Sequence, residues 1–219
     1  MKFFLDTAHV ASIKELISTG LINGVTTNPT HLSKEKMAPR EVVETICVFL
    51  PEGDISVEVT ETEPDAVYKQ ACAIAQIAPN VIVKVPCYKT YYAVIKQLVD
   101  EDIPVNVTLV FSVLQGLMMC KLGVRYISPF VGRWNDIDMD GMEIVHELRA
   151  LIDQYNFDTE ILVASVRSVR QVHEAAMAGA DVTTMPVDIL QKMMDHPLTD
   201  QGMELFAQDW KRLHISHFP

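Results

Sequence analysis

The chain has 219 residues, of which 49% are hydrophobic and 21% charged, the balance of an ordinary soluble globular protein. A formal charge of −11 without any cluster of Lys or Arg excludes a basic nucleic-acid-binding face, so no nucleic-acid partner is expected. The net charge does not exclude a phosphorylated substrate, because a few local arginines decide that.

The sequence predicts neither a signal peptide nor a membrane helix. The opening sequence MKFFLDTAHV has too short an apolar part for a signal peptide. No apolar run approaches the roughly 18 residues that a membrane helix needs. The cysteines show no CxxC spacing and lie mostly in apolar periodic segments; they are Cys47, Cys72, Cys87 and Cys120. We therefore expect reduced core cysteines, a cytoplasmic location and no membrane partner.

Short β-branched runs alternate along the chain with longer segments of helical period. The runs predict strands at residues 2–6, 22–26, 55–60, 81–85, 103–109, 124–128, 161–165 and 181–184. The other segments predict helices at residues 8–18, 39–49, 64–77, 88–100, 112–121, 142–155, 168–178 and 187–194. A last helix, at about 199–213, carries an apolar stripe of Met203, Phe206, Trp210 and Leu213.

Strands that are each followed by a helix, at even spacing, favour an α/β fold with a parallel sheet. We predict a single (β/α)₈ TIM barrel with an extra C-terminal helix. No linker or break in composition divides the chain, so one domain is expected over residues 1–219. A doubly wound open sheet is the alternative, but no glycine-rich dinucleotide turn follows the first strand. The last helix has no strand to cover and would either cap the barrel or dock on a neighbouring subunit.

Strand alternation directs polar groups into the predicted barrel. In the fourth strand the valines at 81, 83 and 85 face outward, and Lys84 faces inward. The same count turns Ile103, Val105, Val107 and Leu109 outward in the fifth strand. The inward polar residues of the third to fifth strands are then Ser56, Glu58, Lys84, Asn106 and Thr108. Most lie towards the C-terminal ends of their strands, where barrel enzymes build their active sites.

A charged side chain inside a barrel is costly unless it is paired. Asp6, at the end of the first strand, and Glu58 would offset Lys84. The alternative interpretation is a purely structural ion-pair network. Burial disfavours the charged form of a lysine, and a neutral amine can attack a carbonyl group, whereas arginine stays protonated. We therefore predict that Lys84 forms a Schiff base.

Five motifs carry a resemblance to a known family. They are FLDT (residues 4–7), GVTTNPT (24–30), VKVP (83–86), NVTLVFS (106–112) and ISPFVGR (127–133). In this order they resemble the transaldolase family, and in particular its short-chain branch, which includes the fructose-6-phosphate aldolases. The resemblance implies a cofactor-free class I aldol mechanism. Lys84 would attack the C2 carbonyl of a ketose phosphate, and cleavage between C3 and C4 would leave a three-carbon enamine on the enzyme.

The resemblance also implies roles for individual residues. Asp6 matches the acid/base that handles the proton of the C4 hydroxyl, and Glu58 and Thr108 match the pair that positions water during iminium formation. Asn28 matches a hydrogen-bond partner of the dihydroxyacetone unit, and Thr26 lines the same pocket. Further substrate contacts are expected from Asn106, Ser128 and Phe130, and phosphate contacts from Arg133, Ser165 and Arg167. Two guanidinium groups and a hydroxyl near the last strands suit a dianion, although Arg167 alone would also fit a solvated residue.

Transaldolases pass the three-carbon unit to a second aldose phosphate, whereas the aldolases release it as free dihydroxyacetone. The aldolases carry Gln, Tyr and commonly Lys at the positions of Glu58, Phe130 and Arg167, so all three residues favour a transaldolase. The expected donors are sedoheptulose 7-phosphate or fructose 6-phosphate, and the expected acceptors are glyceraldehyde 3-phosphate or erythrose 4-phosphate. The alternatives are a fructose-6-phosphate aldolase and, more remotely, a non-catalytic sugar-phosphate-binding barrel. Deoxyribose-phosphate-type aldolases usually add an inward lysine on a later strand, and strands six to eight have none.

One segment departs from the family pattern. Residues 87–92 read CYKTYY, where the family usually has small residues with Thr and Gly. These aromatic rings would either reshape the choice of acceptor or pack against a neighbouring loop.

Two patterns resemble metal sites without completing one. Asp136, Asp138, Asp140, Gly141 and Glu147 fit the spacing of an EF-hand loop, but the segment before them is strand-like. An acidic helix N-terminus capped by Asp140 is the preferred interpretation. His214 and His217 have helical spacing without a carboxylate scaffold, so no metal is expected. Family analogy implies a homo-oligomer, a pentamer or a decamer.

Overall fold

A computed structural model describes residues 1–213, so the predicted pair His214 and His217 lies outside the described residues. Within that range, eight parallel strands close into a barrel, in which β8 pairs with β1. The strands are β1 (Lys2–Asp6), β2 (Ile22–Thr26), β3 (Asp54–Glu58), β4 (Val81–Pro86), β5 (Val105–Val110), β6 (Tyr126–Pro129), β7 (Glu160–Val163) and β8 (Val182–Met185). The predicted (β/α)₈ barrel is confirmed, and no strand end differs from its predicted position by more than two residues.

Helices surround the barrel and follow the strands. They are α1 (Val10–Ile17), α2 (Pro29–Leu32), α3 (Pro39–Phe49), α4 (Pro64–Ala75), α5 (Tyr92–Asp100), α6 (Val113–Leu122), α7 (Val131–Asn135), α8 (Gly141–Tyr155), α9 (Val169–Met177), α10 (Val187–Met194) and α11 (Pro197–Arg212). A single 3₁₀ turn (Lys89–Tyr91) precedes α5. Across residues 1–213 no helix combines the length and apolarity needed to cross a bilayer. The short helices α2 and α7 were not predicted.

The core consists of two layers separated by the barrel wall. The outer layer lies between strands and helices and contains Val81, Val83 and Val85. The inner layer fills the barrel with Phe4, Ile82, Tyr126, Leu162, Ala164 and Val182. Each layer takes alternate residues of a strand, so the predicted outward valines and inward Ile82 and Lys84 are confirmed for β4.

The predicted outward position of Leu109 is wrong. Leu109 has a φ of +57°, a left-handed conformation that interrupts the alternation of β5. The strand register shifts between Val107 and Val110. As a result, Leu109 lines the interior cavity, and Val110 takes the buried place in the outer layer.

The N-terminal end of the barrel is closed by an aromatic and ionic cluster. The Tyr126 hydroxyl donates to Asp54 Oδ2 at 2.5 Å, and Arg125 Nη2 donates to the same oxygen at 2.7 Å. Burial, together with the nearby Asp54 carboxylate, raises the pKa of Tyr126. Phe4 packs edge-on against Tyr126 with ring centroids 6.1 Å apart. A Cβ at Gly24 would lie 2.6 Å from the Phe4 ring, so β2 approaches this cluster as closely as only glycine allows.

The acidic segment before α8 is a helix N-terminus, as predicted. The Asp140 side chain accepts a hydrogen bond from Met142 N at 2.9 Å and caps the helix. At the other end of the chain, α11 begins two residues earlier than predicted and has no buried residue. Its predicted stripe is exposed, with Met203 65% and Phe206 69% accessible. All four cysteines are free, and Cys72 is the least buried of them.

Candidate active site

A cavity of about 420 Å³ opens at the C-terminal ends of the strands. The residues predicted for the site line it, with the exceptions of Asn106 and Thr108; the lining members are Asp6, Thr26, Asn28, Glu58, Lys84, Ser128, Phe130, Arg133, Ser165 and Arg167. Asn106 and Thr108 are fully buried in the barrel wall. The cavity therefore brings together predicted residues from strands that lie far apart in the chain.

Lys84 is the buried cation of this cavity, with 4% of its surface exposed. Its Nζ lies 3.1 Å from Glu58 Oε2 and donates to the carbonyl oxygen of Thr27, also at 3.1 Å. Glu58 and Lys84 are direct partners in the register of β3 and β4. Their contact is thus set by the barrel's hydrogen-bond ladder, because neighbouring parallel strands hold paired residues side by side.

Asp6, at the end of β1, is the second carboxylate of the cavity. Its Oδ1 accepts a hydrogen bond from Thr26 Oγ1 at 3.0 Å and lies 3.4 Å from Nε2 of His31. Burial acts to raise the pKa of Asp6, but the His31 contact and the positive charge of Lys84 act against it and leave the pKa below its usual value. Thr26 in turn shares a 2.6 Å hydrogen bond with Thr184 on β8. Asp6 is therefore held as a carboxylate in a fixed position.

A short polar chain runs through the barrel wall beside the lysine. Ser128 Oγ donates to Asn106 Oδ1 at 2.7 Å, and Asn106 Nδ2 donates to Ser56 Oγ at 3.1 Å. Thr108 differs, because its buried hydroxyl finds no hydrogen-bond partner among residues 1–213. A buried hydroxyl without a protein partner is costly unless a water or a ligand satisfies it.

The predicted phosphate residues lie together on one side of the cavity. The Arg133 guanidinium lies over the Phe130 ring, 5.2 Å from its centroid, and Phe130 packs edge-on against Phe111. Arg167 is exposed and makes a two-pronged ion pair with Asp136, with Nη2 2.7 Å from Oδ2. The hydrogen bond from Arg167 lowers the pKa of Asp136 below its usual range. Arg133 is therefore held by an aromatic ring, whereas Arg167 is already paired with a carboxylate.

The backbone of α7 lies very close to the segment that follows β7. Ser165 has a φ of +61°, which is rare for a residue with a side chain. A Cβ at Gly132 would lie 2.1 Å from the Ser165 carbonyl oxygen, so only glycine allows α7 to pack here. This contact brings Arg133 of α7 beside Ser165 and Arg167.

The structure adds residues that the sequence did not predict. His31 and Thr184 both line the cavity and both connect to Asp6, one directly and one through Thr26. Strand alternation could have indicated Thr184, because it follows the inward Val182 by two residues in β8. No sequence pattern indicated His31, since it enters the cavity from the unpredicted helix α2. The other additions are Pro29, Thr30, Leu109, Leu162 and Ala164.

The segment that departs from the family pattern packs away from the cavity. The Tyr91 hydroxyl donates to the Thr62 carbonyl oxygen at 2.9 Å, and Tyr88 packs on Tyr91 with ring centroids 5.5 Å apart. The Tyr92 hydroxyl lies 3.7 Å from Cys87 Sγ. None of the side chains of these three tyrosines and Cys87 lines the cavity formed by the described residues. Tyr91 thus packs against the neighbouring loop, as one of the two alternatives predicts, and an effect of this segment on the choice of acceptor stays a prediction.

Known structures share this architecture. A thiamine phosphate pyrophosphorylase from Pyrococcus furiosus matches with a TM-score of 0.58 and 16% identity, covering 84% of this chain and 85% of the other. The carboxyl transferase domain of Rhizobium etli pyruvate carboxylase matches with a TM-score of 0.63 and 10% identity, covering 85% of this chain and 40% of the other. At these identities the similarity establishes the fold alone.

Curated sequences give a closer similarity. A protein from Parvibaculum lavamentivorans named "Probable transaldolase" is 48% identical over 97% of both chains. One from Dictyoglomus turgidum with the same name is 44% identical over 97% of this chain and 99% of its own. The family model described as Transaldolase/Fructose-6-phosphate aldolase matches residues 3–217. The chain therefore belongs to the transaldolase/fructose-6-phosphate aldolase family of enzymes.

Proposed function

We propose that the chain is a cytoplasmic transaldolase that moves a dihydroxyacetone unit between sugar phosphates through a Schiff base on Lys84. The observation that carries this proposal is the position of Lys84, which is buried in the cavity with its Nζ 3.1 Å from Glu58 and in the same cavity as Asp6. A primary amine that is shielded from water and next to a carboxylate has the surroundings that carbonyl attack requires.

Schiff-base formation needs proton transfers that Glu58 and Thr108 would serve. Glu58 accepts a proton from the Lys84 ammonium, and the free amine attacks the C2 carbonyl of the ketose phosphate. The C2 oxygen of the resulting carbinolamine then leaves as water when Glu58 returns a proton, giving an iminium ion. The unpartnered Thr108 hydroxyl provides a hydrogen bond for this water.

Carbon–carbon cleavage uses the second carboxylate of the cavity. Asp6 accepts the proton of the C4 hydroxyl, the C3–C4 bond breaks, and its electron pair moves into the iminium to form an enamine. The aldose phosphate leaves. When an acceptor aldose phosphate binds, the enamine attacks its aldehyde carbon, and Asp6 returns the proton to the new C4 oxygen. Water then adds to C2 of the regenerated iminium, and the C2–N bond breaks to free the new ketose phosphate and the Lys84 amine. The low pKa of Asp6 keeps it ready as a base before cleavage.

The phosphate of either sugar would bind between Arg133, Ser165 and Arg167. Arg133 makes no ion pair with a carboxylate among residues 1–213 and is available to a dianion, whereas Arg167 is shared with Asp136. Guanidinium groups bind phosphate through charge-assisted hydrogen bonds, so this side of the cavity favours phosphorylated substrates.

Phe130 supports transfer over release of the three-carbon unit. Release of the three-carbon unit requires that the enamine carbon be protonated before water can add to the resulting iminium, and the Phe130 ring offers no hydroxyl to assist these steps. The ring is packed between Phe111 and the Arg133 guanidinium, which fixes an apolar wall on this side of the cavity. The enamine would therefore persist until an acceptor arrives.

Borohydride trapping tests the Schiff base. With fructose 6-phosphate present, reduction is expected to add a three-carbon unit to the chain, mapped to Lys84 by peptide mass spectrometry. Lys84→Arg is the matched variant, because it keeps the positive charge and loses the nucleophile. An adduct that persists in this variant, or no adduct in the wild type, contradicts the proposal.

A second assay separates transaldolase from aldolase. Fructose 6-phosphate is offered with and without erythrose 4-phosphate, and both sedoheptulose 7-phosphate and free dihydroxyacetone are measured. Turnover is expected only with the acceptor, and Phe130→Tyr is expected to raise dihydroxyacetone release. Rapid release by the wild type without an acceptor would identify a fructose-6-phosphate aldolase.

The exposed stripe on α11 supports a homo-oligomer. Met203, Phe206 and Leu213 present large apolar side chains at a helix that buries none of its residues against its own barrel. Sedimentation velocity of the wild type and of Phe206→Glu tests this expectation. The wild type is expected as an oligomer and the variant as smaller species.

A further inference from the structure

The side chain of His31 lines the cavity next to Asp6. It enters from α2, a four-residue helix whose first turn is fixed by Pro29 and by the Asn28 side chain, which accepts a hydrogen bond from His31 N at 2.9 Å. Its Nε2 lies 3.4 Å from Asp6 Oδ1, and the imidazole is partly buried, with 25% of the side chain exposed. The backbone thus anchors His31 beside the second carboxylate.

The hydrogen bond from Thr26 and the shortest contact with His31 are both on one of the two carboxylate oxygens of Asp6. Oδ1 accepts from Thr26 Oγ1 at 3.0 Å and faces His31 Nε2 at 3.4 Å. Oδ2 accepts no hydrogen bond from a side chain among residues 1–213. A carboxylate held through one oxygen presents the other, so Oδ2 is the atom left to exchange a proton with a substrate hydroxyl.

We propose that His31 is a positioning residue for Asp6, which it holds ionised and oriented through Oδ1 so that Oδ2 takes the proton of the substrate's C4 hydroxyl. This inference rests on the proposed function, in which Asp6 is the acid/base. The proton moves from the hydroxyl oxygen to Oδ2 as the C3–C4 bond breaks, and it returns from Oδ2 to the acceptor's aldehyde oxygen as the new bond forms. His31 stays in contact with Oδ1 and is not on the path of the proton.

The electrostatics agree with this geometry. After burial, which acts to raise the pKa of Asp6, the contact with His31 is the largest influence, and it lowers that pKa. Lys84 on β4 also lowers it, and the hydrogen bond from Thr26 adds a smaller effect. The other charged groups that line the cavity with His31 are Glu58 on β3, Arg133 on α7 and Arg167 before α9.

The direct test is the titration of Asp6 itself. The protein is labelled with ¹³C at aspartate Cγ, and the Asp6 signal is assigned by difference against Asp6→Asn. In His31→Leu the titration midpoint is expected to move to higher pH, because the variant keeps the burial and loses the donor. His31→Gln keeps a neutral donor and is expected to restore most of the shift. An unchanged midpoint in His31→Leu overturns the inference.

A kinetic test adds the link to catalysis. The acid limb of kcat/KM for donor cleavage is expected to move to higher pH in His31→Leu, so that the variant loses activity relative to the wild type as pH falls. His9→Leu is the matched control, because His9 is exposed, contacts Ser12 and is expected to leave the profile unchanged. A limb that stays in place while kcat drops equally at every pH would assign His31 a merely structural role and overturn the inference.

Failure of the inference is distinguishable from failure of the proposed function. If the wild type catalyses transfer and the Asp6 titration does not respond to His31→Leu, the inference is wrong and the function stands. If the wild type forms no borohydride adduct on Lys84, the proposed function fails, and with it the role given to Asp6. The carboxyl titration then still measures whether His31 controls the charge of Asp6.

Discussion

The two ends of the barrel interior are built from the same strands but from opposite chemistry. At the N-terminal end the inward residues are apolar or aromatic, as Phe4, Ile82 and Tyr126 illustrate. Two residues further along the same strands, β1, β4 and β6 place Asp6, Lys84 and Ser128 inward. One step of the two-residue strand period therefore separates a packed layer from a reactive one. The difference suggests that the first layer stabilises the fold and the second is available for chemistry.

The largest expected effect is on activity at the reactive end. Lys84→Arg keeps the charge beside Glu58 but removes the nucleophilic amine, so all measurable transfer between sugar phosphates should be lost. Its thermal unfolding midpoint should stay close to that of the wild type. Coupled enzymatic assay and calorimetry on one preparation measure both quantities. A large loss of thermal stability would mean that the reactive layer also supports the fold.

The next effect is on stability at the packed end. Phe4 is fully buried between Gly24 and Tyr126, and Phe4→Ala should lower the free energy of unfolding by about 3–5 kcal/mol through lost burial and a residual cavity. Urea denaturation measures this change. The kcat of the folded fraction should remain near the wild-type value, and a selective loss of kcat would show that the two layers are coupled.

A smaller effect should distinguish the two arginines of the reactive end. Removing a charge-assisted contact to a ligand costs roughly 1.5–3 kcal/mol, which corresponds to at least about tenfold in KM. We expect this rise for Arg133→Gln and a smaller one for Arg167→Gln, because Arg167 is already paired with Asp136. Steady-state kinetics with phosphorylated and unphosphorylated ketoses give the comparison. Equal effects with both kinds of ketose would remove the phosphate assignment.

The smallest expected effect is the pH dependence of the stability that Asp6 contributes. The folded-state pKa of Asp6 lies below its ordinary value, so its contribution to stability is fully present above that ordinary value and is lost as pH falls through the folded pKa. The difference in unfolding midpoint between the wild type and Asp6→Asn should therefore be largest near neutral pH and shrink in acid. A difference that grows in acid would contradict the lowered pKa.

Most of the fold and much of the site are predictable because strand alternation is strict where a strand is apolar on one face. In β4 the run of valines is enough to direct Lys84 inward. Strand alternation gives the wrong face for Leu109, because a left-handed residue interrupts β5 there. The pattern of hydrophobic residues does not show this interruption. Thr184 obeys the rule, since it lies two residues after the inward Val182, although it was not among the predicted site residues.

His31 and α7 lie beyond what sequence patterns can predict. A helix of four or five residues is too short to display a helical period, so α2 and α7 were not predicted. The placement of His31 depends on the backbone of α2, and the placement of Arg133 depends on the contact between Gly132 and Ser165. These are tertiary relations that hydrophobic patterns do not encode.

The register between Glu58 and Lys84 has a consequence for how this enzyme can change. Because the pair is held by backbone ladder bonds, such as Val59 N to the Lys84 carbonyl oxygen at 3.0 Å, it does not depend on the loops that follow. The unusual residues 87–92 illustrate this, since they begin three positions after Lys84, and Cys87 N still bonds the Thr108 carbonyl oxygen at 2.8 Å. Residues in this loop can therefore be exchanged without moving Lys84 away from Glu58.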